Sequence, residues 1–469
     1  MRCIEKGALD FIIKPFNESV IKTLFLNIYR YNKSKQNHQK QQEKEQSIII
    51  THFQDRLKTF NETSSISSLS KGYQWITNHI LQEFTPQPTI IERLSITSLS
   101  NERKCYLKQF INDWNFTPLE LNEIDLLYCV CSIFEQMFLQ FPELNSLQMN
   151  HDIILEMTIN ICNSYHNSNP YHNFRHAVDV LQSTWYFLCA IGLIESPCSL
   201  TENNHSIKIP SFTTHNNQIK ELLQPIDRLA LLIASIGHDV GHPGVNNHFM
   251  VTTANPLAIF YNDKSVLENY HSMAFFSLLH KHLAHNINSH PEYKSFRKTI
   301  IHGILCTDMD HHQDHVQNIK LLIQRIQNQE LDLSTEVKKE KEKLILISAI
   351  MKCADISNCA RPFENAKKWA IMLVKEFSLQ SELEKELCIP AIPINEHDSN
   401  NNVALAKFQL SFIKNIAFDL YLSMNQLFPE FNFCIQNIQD NMDKWSITTI
   451  QENIKKYKKK FFFSPFFLL

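Results

Sequence analysis

The stretch that decides the fold is Ile236-Gly-His-Asp-Val-Gly-His-Pro-Gly-Val-Asn-Asn247, which holds two histidines and an aspartate within five positions. Adjacent imidazole and carboxylate groups form the mixed nitrogen and oxygen ligand set that suits zinc or another first-row divalent ion. The run before it, 229–236, is apolar enough for a buried helix, which the proline is expected to end or bend. Taken alone, the stretch would equally fit a buried polar turn whose histidines are satisfied by hydrogen bonds.

Composition favours a helical protein. The chain has 469 residues but only seven glycines, far below the usual share of about 7%. Sheets with tight hairpins use glycine, so the scarcity predicts an all-α architecture. A net charge of −3 gives no general attraction to nucleic acid. Twelve cysteines without a paired spacing, no signal peptide and no apolar run long enough to span a membrane predict reduced thiols and a cytoplasmic location.

The first residues, 1–31, differ in pattern from the rest of the chain. Gly7-Ala-Leu-Asp-Phe-Ile-Ile-Lys-Pro-Phe16 predicts a turn and a short buried strand, and a helix is predicted from Glu18 to about Tyr31. The motif resembles the C-terminal end of a two-component receiver domain, whose lysine contacts a phosphorylated aspartate far upstream. That aspartate is absent, so we predict a short α/β receiver remnant. A phosphorelay partner is expected only if a full receiver lies upstream.

The rest divides into three regions. Residues 32–105 are polar and predict a linker with lead-in helices, 106–450 form a helical region, and 451–469 are a basic and aromatic tail expected to be disordered. Asn-, Ser- and Thr-rich stretches at 195–218 and 392–402 predict surface loops. Helical periodicity is found at Glu120–Phe141, Asp152–Tyr165, Ala177–Ile191, Gln224–Ile236, Ser265–Ala284, Lys294–Thr307, Lys341–Cys353, Glu364–Leu379 and Val403–Leu427.

Further acidic and histidine-bearing motifs lie at the ends of apolar segments. Tyr171-His-Asn-Phe-Arg-His176 places two histidines four residues apart, on one face if the segment is helical. Lys352-Cys-Ala-Asp-Ile-Ser-Asn358 places an aspartate after an apolar helix, where a carboxylate is costly unless paired or bound to metal. Glu268-Asn-Tyr-His271 and Thr307-Asp-Met-Asp-His-His312 repeat the pattern. Five such breaks are hard to explain as independent polar turns.

These motifs occur in the order found in one family. Tyr-His-Asn-x-x-His, His-Asp-x-x-His-Pro-Gly, Leu-Glu-Asn-x-His, Thr-Asp-Met, Cys-Ala-Asp-x-Ser-Asn and Gln-x-x-Phe follow one another along the chain. From about Lys108 to about Met442 the chain resembles the class I cyclic nucleotide phosphodiesterases. The resemblance implies a compact catalytic domain of the HD type, with about sixteen helices around a deep pocket, over 106–450.

The resemblance also implies roles for individual residues, matched position by position. The zinc ligands would be His176, His238, Asp239 and Asp355, with Asp239 also contacting a second ion, magnesium or manganese. The partners of ion-bound water would be His242, Glu268, His271 and Asp308. The general acid would be His172, held protonated by a neighbouring carboxylate such as Glu268. The substrate-binding residues would be Asn358, Leu373, Gln409 and Phe412.

The predicted reaction is metal-dependent hydrolysis of 3′,5′-cyclic AMP. Dual hydrolysis of cyclic AMP and cyclic GMP stays open, because Ala366 stands where some cAMP-specific members have a tyrosine that orients the purine-binding glutamine. Two other positions depart from the common pattern, Tyr270 and Lys352, each where a histidine is frequent. The remaining alternatives are a catalytically silent cyclic-nucleotide-binding module and a different His-Asp phosphohydrolase acting on dNTPs or a cyclic dinucleotide. A homodimer is left open.

Overall fold

Every regular element in the described part of the chain is a helix. The computed structural model describes residues 99–195, 218–287, 290–389 and 402–462. The all-α prediction is confirmed there. The predicted receiver remnant, nearly all of the linker and most of both surface loops lie outside the described residues, so these remain predictions.

The described part of the chain contains a series of α-helices. In chain order they are α1 (Asn101–Phe110), α2 (Glu123–Gln140), α3 (His151–Cys162), α4 (Phe174–Ala190), α5 (Pro225–Gly237), α6 (Asn247–Thr252), α7 (Pro256–Phe260), α8 (Val266–Ile287), α9 (Tyr293–Leu305), α10 (His312–Gln327), α11 (Glu336–Asp355), α12 (Phe363–Glu386), α13 (Asn402–Phe412), α14 (Phe418–Leu427) and α15 (Asn432–Phe462). Short 3₁₀ turns occupy Pro118–Glu120, Pro142–Leu147, Met309–His311, Ser357–Ala360 and Pro429–Phe431.

All nine periodic segments are helical, with one interruption. The pattern at Val403–Leu427 is broken by a π-helical turn, Ile413–Ala417, between α13 and α14. Helices α10 and α15 carry no prediction from periodicity. Because α15 continues to Phe462, the lysine run that we expected to be disordered is helical, and the disorder prediction is wrong for that part of the tail.

The chain divides into two compact units. The described part of the smaller unit comprises Asn246–Val266 and 383–389, and therefore holds α6 and α7. The larger unit contains the remaining described residues. Every histidine and carboxylate that the sequence assigned to the catalytic site belongs to the larger unit.

Four helices of the larger unit position the site. Helix α5 packs against α4 and α9, and α11 packs against all three. The approach of α9 depends on Gly303, where an added Cβ would lie 3.1 Å from the Cβ of Ala234 on α5. Apolar side chains bury α5 along nearly its whole length, so burial of its surface fixes where its C-terminal end emerges.

Local signals set the ends of these helices. Asn173 is the N-cap of α4, and its side chain accepts a hydrogen bond from the Arg175 amide. His172 therefore precedes the helix, and the expectation that it shares a helical face with His176 is wrong. Helix α5 ends at Gly237, well before Pro243, so the proline does not end it. Helix α11 runs through Asp355, which is its last residue.

Two findings bear on cellular context. No disulfide bond joins cysteines within the described part of the chain. Among the described helices, none combines the length and apolarity needed to cross a membrane.

Candidate metal centre and catalytic site

Four side chains converge on one point: one from α4, one from α11 and two from the residues that directly follow α5. Nε2 of His176 lies 3.3 Å from Asp355 Oδ1 and 3.6 Å from Asp239 Oδ2. Nε2 of His238 lies 3.1 Å from Asp239 Oδ2 and 3.3 Å from Asp355 Oδ1. The four residues that the resemblance assigned to zinc are therefore brought together by the fold.

The histidines of this cluster are prepared for a cation. Nδ1 of His238 lies 2.9 Å from the Ser235 carbonyl, and donation of a proton there leaves Nε2 as an unprotonated ligand. Within the described residues, Nε2 of His176 and Nε2 of His238 are buried without a hydrogen-bond partner. Buried polar atoms are rarely left unsatisfied, so two such lone pairs facing two carboxylates fit a divalent cation. Two imidazoles and two carboxylates suit zinc in a catalytic setting.

Charge supports the same conclusion. Burial lowers the pKa of His238, but the carboxylates of Asp239 and Asp355 outweigh it and hold that pKa well above its ordinary value. The metal-free cluster therefore retains a proton on an imidazole. A bound divalent cation would replace that proton, which is how metal affinity becomes dependent on pH.

Two more histidines lie beside Asp239. Nε2 of His271 is 3.7 Å from Asp239 Oδ1, and its Nδ1 donates to the Val240 carbonyl over 2.8 Å. Nδ1 of His242 accepts a hydrogen bond from the Gly244 amide. Burial lowers the pKa of His271 to about 4 and that of His242 well below its ordinary value. Both rings are thus neutral at neutral pH and suited to hydrogen-bond water near a cation.

His172 is paired with a carboxylate that the sequence interpretation missed. Its Nδ1 contacts Glu376 Oε1, while Glu376 Oε2 accepts hydrogen bonds from the amides of Tyr171 and His172 at 2.9 and 3.0 Å. The expected partner, Glu268, is not the residue that holds His172. Although burial opposes it, the Glu376 charge raises the pKa of His172 to about 9. The imidazolium in turn outweighs burial and lowers the pKa of Glu376 to about 2.

The paired residues are better explained as an acid and its partner than as a metal site. Ligand atoms of His172, His242 and Glu376 all lie within 4.8 Å of one another, as they would around an ion. Both Glu376 oxygens, however, already accept hydrogen bonds. The rings of His172 and His242 stack with centroids 4.0 Å apart, an arrangement that requires no ion.

The sequence analysis missed Glu376 because the pattern of α12 indicates only an amphipathic helix. Trp369, Leu373 and Glu376 follow the spacing i, i+4, i+7 on α12 and therefore share one face. The Trp369 ring lies 6.0 Å from that of His176, and Glu376 reaches His172, so this face is turned to the site. The signal that could have identified Glu376 was a carboxylate on the buried face of a helix, where it needs a charged or hydrogen-bonding partner. Leu373, expected to clamp the base, lies on the same helical face as Trp369 and Glu376.

Polar contacts lock the His172 loop. The Asn169 amide donates to the carbonyls of His172 and His242, at 3.0 and 2.7 Å, and so joins the two histidine loops. Asn358 Nδ2 donates to the Tyr171 hydroxyl over 2.6 Å. This hydrogen bond places Asn358, which was predicted to contact substrate, beside Tyr171 and so near the metal cluster.

Asp308 and Glu268 belong to the same acidic surroundings. The buried ammonium of Lys352 interacts electrostatically with Asp355, Asp308 and Glu268. Gln409 and Phe412 lie three residues apart near the end of α13, with Gln409 buried and Phe412 half-buried. No described residue forms a hydrogen bond with the Gln409 side chain. Their expected role in base recognition is untested.

Comparison with known proteins now identifies the family. The profile of the 3′5′-cyclic nucleotide phosphodiesterases matches residues 171–438, which span the whole cluster. The chain belongs to this family. A solved phosphodiesterase domain, from the RhoPDE fusion protein of the choanoflagellate Salpingoeca rosetta, has a TM-score of 0.61 and 26% identity. The match covers 73% of this chain and 96% of that one.

The relatives of this phosphodiesterase family member differ in the cyclic nucleotide for which their names state specificity. The high affinity cAMP-specific and IBMX-insensitive 3′,5′-cyclic phosphodiesterase 8A of Mus musculus is 30% identical, over 71% of this chain and 38% of its own length. The cGMP-specific 3′,5′-cGMP phosphodiesterase 3 of Dictyostelium discoideum is also 30% identical, over 71% of this chain and 63% of its own length. The matched region is thus less than two thirds of either relative.

Proposed function

We propose that this chain hydrolyses 3′,5′-cyclic AMP to 5′-AMP and so ends a cyclic nucleotide signal. The observation that carries the proposal is the convergence of His176, His238, Asp239 and Asp355 beside a His172–Glu376 pair. When bound, zinc and a second divalent ion, magnesium or manganese, acidify water and polarise phosphoryl oxygens. The chain must then supply a proton and orient the substrate.

His172 has the properties of the general acid. Its Nδ1 is occupied by Glu376, which leaves Nε2 to donate a proton to the departing 3′ oxygen. As the water loses a proton to solvent and its oxygen bonds to phosphorus, the phosphorus–O3′ bond breaks and O3′ takes the proton of His172, which solvent later replaces. Although burial opposes it, the Glu376 carboxylate raises the pKa of His172 in the metal-free chain to about 9, which favours the protonated imidazole until that step. The neutral ring of His242, stacked on His172, adds no competing positive charge.

Selection of adenine is argued from Asn358. Its amide nitrogen donates to Tyr171, which leaves its oxygen able to accept from a donor such as the adenine amino group. Guanine carries a carbonyl at that ring position. We propose a cAMP preference of at least about tenfold in kcat/KM, about 1.4 kcal/mol in the transition state.

Dual specificity is the second candidate, and one observation favours it. In the described part of the chain nothing fixes the Gln409 amide, and Ala366 supplies no tyrosine anchor. An amide that rotates freely can present oxygen or nitrogen to either purine.

The deciding experiment compares hydrolysis of cyclic AMP and cyclic GMP by the same preparation, with magnesium or manganese. Asp239→Ala is the negative control, because loss of a ligand shared by two ions abolishes turnover while far-UV circular dichroism stays unchanged. Equal efficiencies establish dual specificity. Nucleotide binding without turnover in metal-loaded wild-type protein establishes a silent binding module and contradicts the proposal.

The described cysteines form no disulfide bond with one another, which fits a reducing compartment, and a cytoplasmic location is part of the same proposal.

A further inference from the structure

A buried lysine lies next to the candidate metal centre. Lys352 is 2% exposed, and its ammonium donates to the Cys306 carbonyl over 2.9 Å and to the Asp308 carbonyl over 3.4 Å. It precedes Asp355 by three residues on α11, so the two side chains leave neighbouring points of one helical face. Burying an ammonium is costly, and these two carbonyls satisfy two of its three donors.

The carbonyls belong to the turn that carries Asp308. Helix α9 ends at Leu305, and the Asp308 amide bonds back to the Leu305 carbonyl. Oδ1 of Asp308 accepts from the Asp310 amide over 2.9 Å, which fixes the carboxylate relative to its own backbone. The Lys352 ammonium holds this backbone on both sides of Thr307. The orientation of the Asp308 carboxylate is therefore set by the turn, and the turn is tied to α11.

The same ammonium lies among acids, and burial lowers its pKa. It interacts with the carboxylates of Asp355, Asp308 and Glu268, which oppose the effect of burial on its charge. Lys352 therefore has two effects on the binding of a nearby cation, and they act in opposite directions. Holding Asp308 in place strengthens cation binding, whereas the positive charge itself weakens it.

We propose that Lys352 is a positioning residue: it holds the turn 306–308 so that the Asp308 carboxylate contacts the water ligands of the second divalent ion. Positioning outweighs repulsion, because the carboxylates of Asp355, Asp308 and Glu268 already offset the ammonium charge. This inference rests on the proposed function, since it concerns the second ion of that site.

The test uses the full chain loaded with one equivalent of zinc. Binding of Mn²⁺ is measured by electron paramagnetic resonance, without turnover, and then by activation of cyclic nucleotide hydrolysis. In Lys352→Met the Kd for Mn²⁺ is expected to rise by about tenfold, at the low end of the usual effect of residues that orient metal ligands. Zinc content and kcat at saturating Mn²⁺ should stay close to wild type. Unchanged or tighter Mn²⁺ binding overturns the proposal.

Two further variants separate positioning from charge and from general damage. Lys352→Gln keeps a donor without the charge, so it should recover part of the lost affinity, and failure to do so counts against positioning. In a double-mutant cycle, Lys352→Met should add little to Asp308→Asn, because one residue acts through the other. Additive losses overturn the proposal.

Lys343→Met is the matched control. Lys343 is also buried on α11, but it pairs with Asp227 at 3.1 Å, away from the metal cluster. Its loss should lower stability and leave the Kd for Mn²⁺ unchanged. A change equal to that of Lys352→Met would show a general effect of α11 and contradict the inference. Because Mn²⁺ binding is read without substrate, failure of the proposed function appears separately, as absent turnover in wild type.

Discussion

His172 and His176 are expected to have different roles, the first in donating a proton and the second in binding metal. His172 and His176 are four positions apart in the sequence, yet one lies before the N-cap of α4 and the other within that helix. His172 contacts Glu376, while Nε2 of His176 faces Asp239 and Asp355. The four-residue spacing in the sequence therefore does not reveal that the two histidines have different partners.

We expect alanine variants of the two histidines to separate these roles. His172→Ala should slow turnover by roughly 10²–10⁴-fold, the usual contribution of a general acid, and keep zinc. His176→Ala should lose zinc as well. Metal content by mass spectrometry, with kcat for both proteins, is the measurement. If the two variants lose zinc equally, His172 is a ligand and the assignment is wrong.

Glu376 should determine where activity falls on the alkaline side. The general acid must be protonated, so activity is lost as pH rises through the pKa of His172, which Glu376 raises to about 9. Bound cations lower that pKa in every variant alike. Glu376→Gln removes the charge, and the alkaline limb of kcat should move to lower pH.

Glu364→Gln, at an exposed position of the same helix, is the control and should leave the profile unchanged. An unshifted limb in Glu376→Gln would show that another group sets the protonation of His172.

At the scale of elements, close helix packing places the ligands. Gly237 ends α5 immediately before His238, and an added Cβ there would lie 2.3 Å from the Phe275 ring of α8. Gly303 is less tight, since its added Cβ would lie 3.1 Å from Ala234. The first contact requires an aromatic ring to move, whereas the second requires a shift of a few tenths of an ångström.

Gly237→Ala should therefore destabilise the chain by about 1–3 kcal/mol, the usual cost of overpacking, and lower metal affinity because His238 moves. Gly303→Ala should cost less and leave metal binding nearly unchanged. Urea unfolding and zinc titration measure both effects. Equal losses in the two variants would contradict this account of the helix packing.

At the scale of the whole molecule, the metal cluster ties α4, α5 and α11 together. Their imidazole and carboxylate groups converge at distances of 3.1–3.6 Å. A ligand that binds only the folded state stabilises it by about 2.7 kcal/mol at a hundred times its Kd. Folding and metal binding are therefore expected to be linked.

Removal of metal with a chelator should lower the Tm, and zinc should restore it. The shift should vanish in His176→Ala, while His151→Ala, which removes an exposed histidine paired with Glu135, should retain it. Differential scanning calorimetry at fixed pH gives the comparison. A zinc-dependent shift that persists in His176→Ala would place the ion elsewhere.

The His172–Glu376 pair also makes stability depend on pH in the metal-free chain. His172 titrates with a pKa of about 9, above its ordinary 6.5, so its contribution is full below about pH 6.5 and is lost as pH rises through 9. Glu376 titrates with a pKa of about 2, below its ordinary 4.5, so its contribution is full above about pH 4.5 and is lost as pH falls through 2. The loss of unfolding free energy in Glu376→Gln should thus be greatest between about pH 4.5 and 6.5. A difference that does not vary with pH, measured by urea unfolding with a chelator, would contradict the charged pair.

The sequence by itself determined the fold class, the positions of the main helices and the four residues that converge on the candidate zinc site. Apolar periodicity specifies which face of a helix is buried, and His238 and Asp239 follow such a helix directly. The order of the motifs was specific enough to indicate the family before any contact was known.

Only the tertiary structure decided which partner each buried charged side chain has. Glu376 holds His172 from a helix 204 residues away in sequence, and no local pattern distinguishes it from Glu268. Lys352 reaches the Asp308 carbonyl across 44 residues. Periodicity reports burial within one element, whereas the partner of a buried charge depends on how separate elements pack, because a charge can be satisfied by any group that packing brings within about 3 Å.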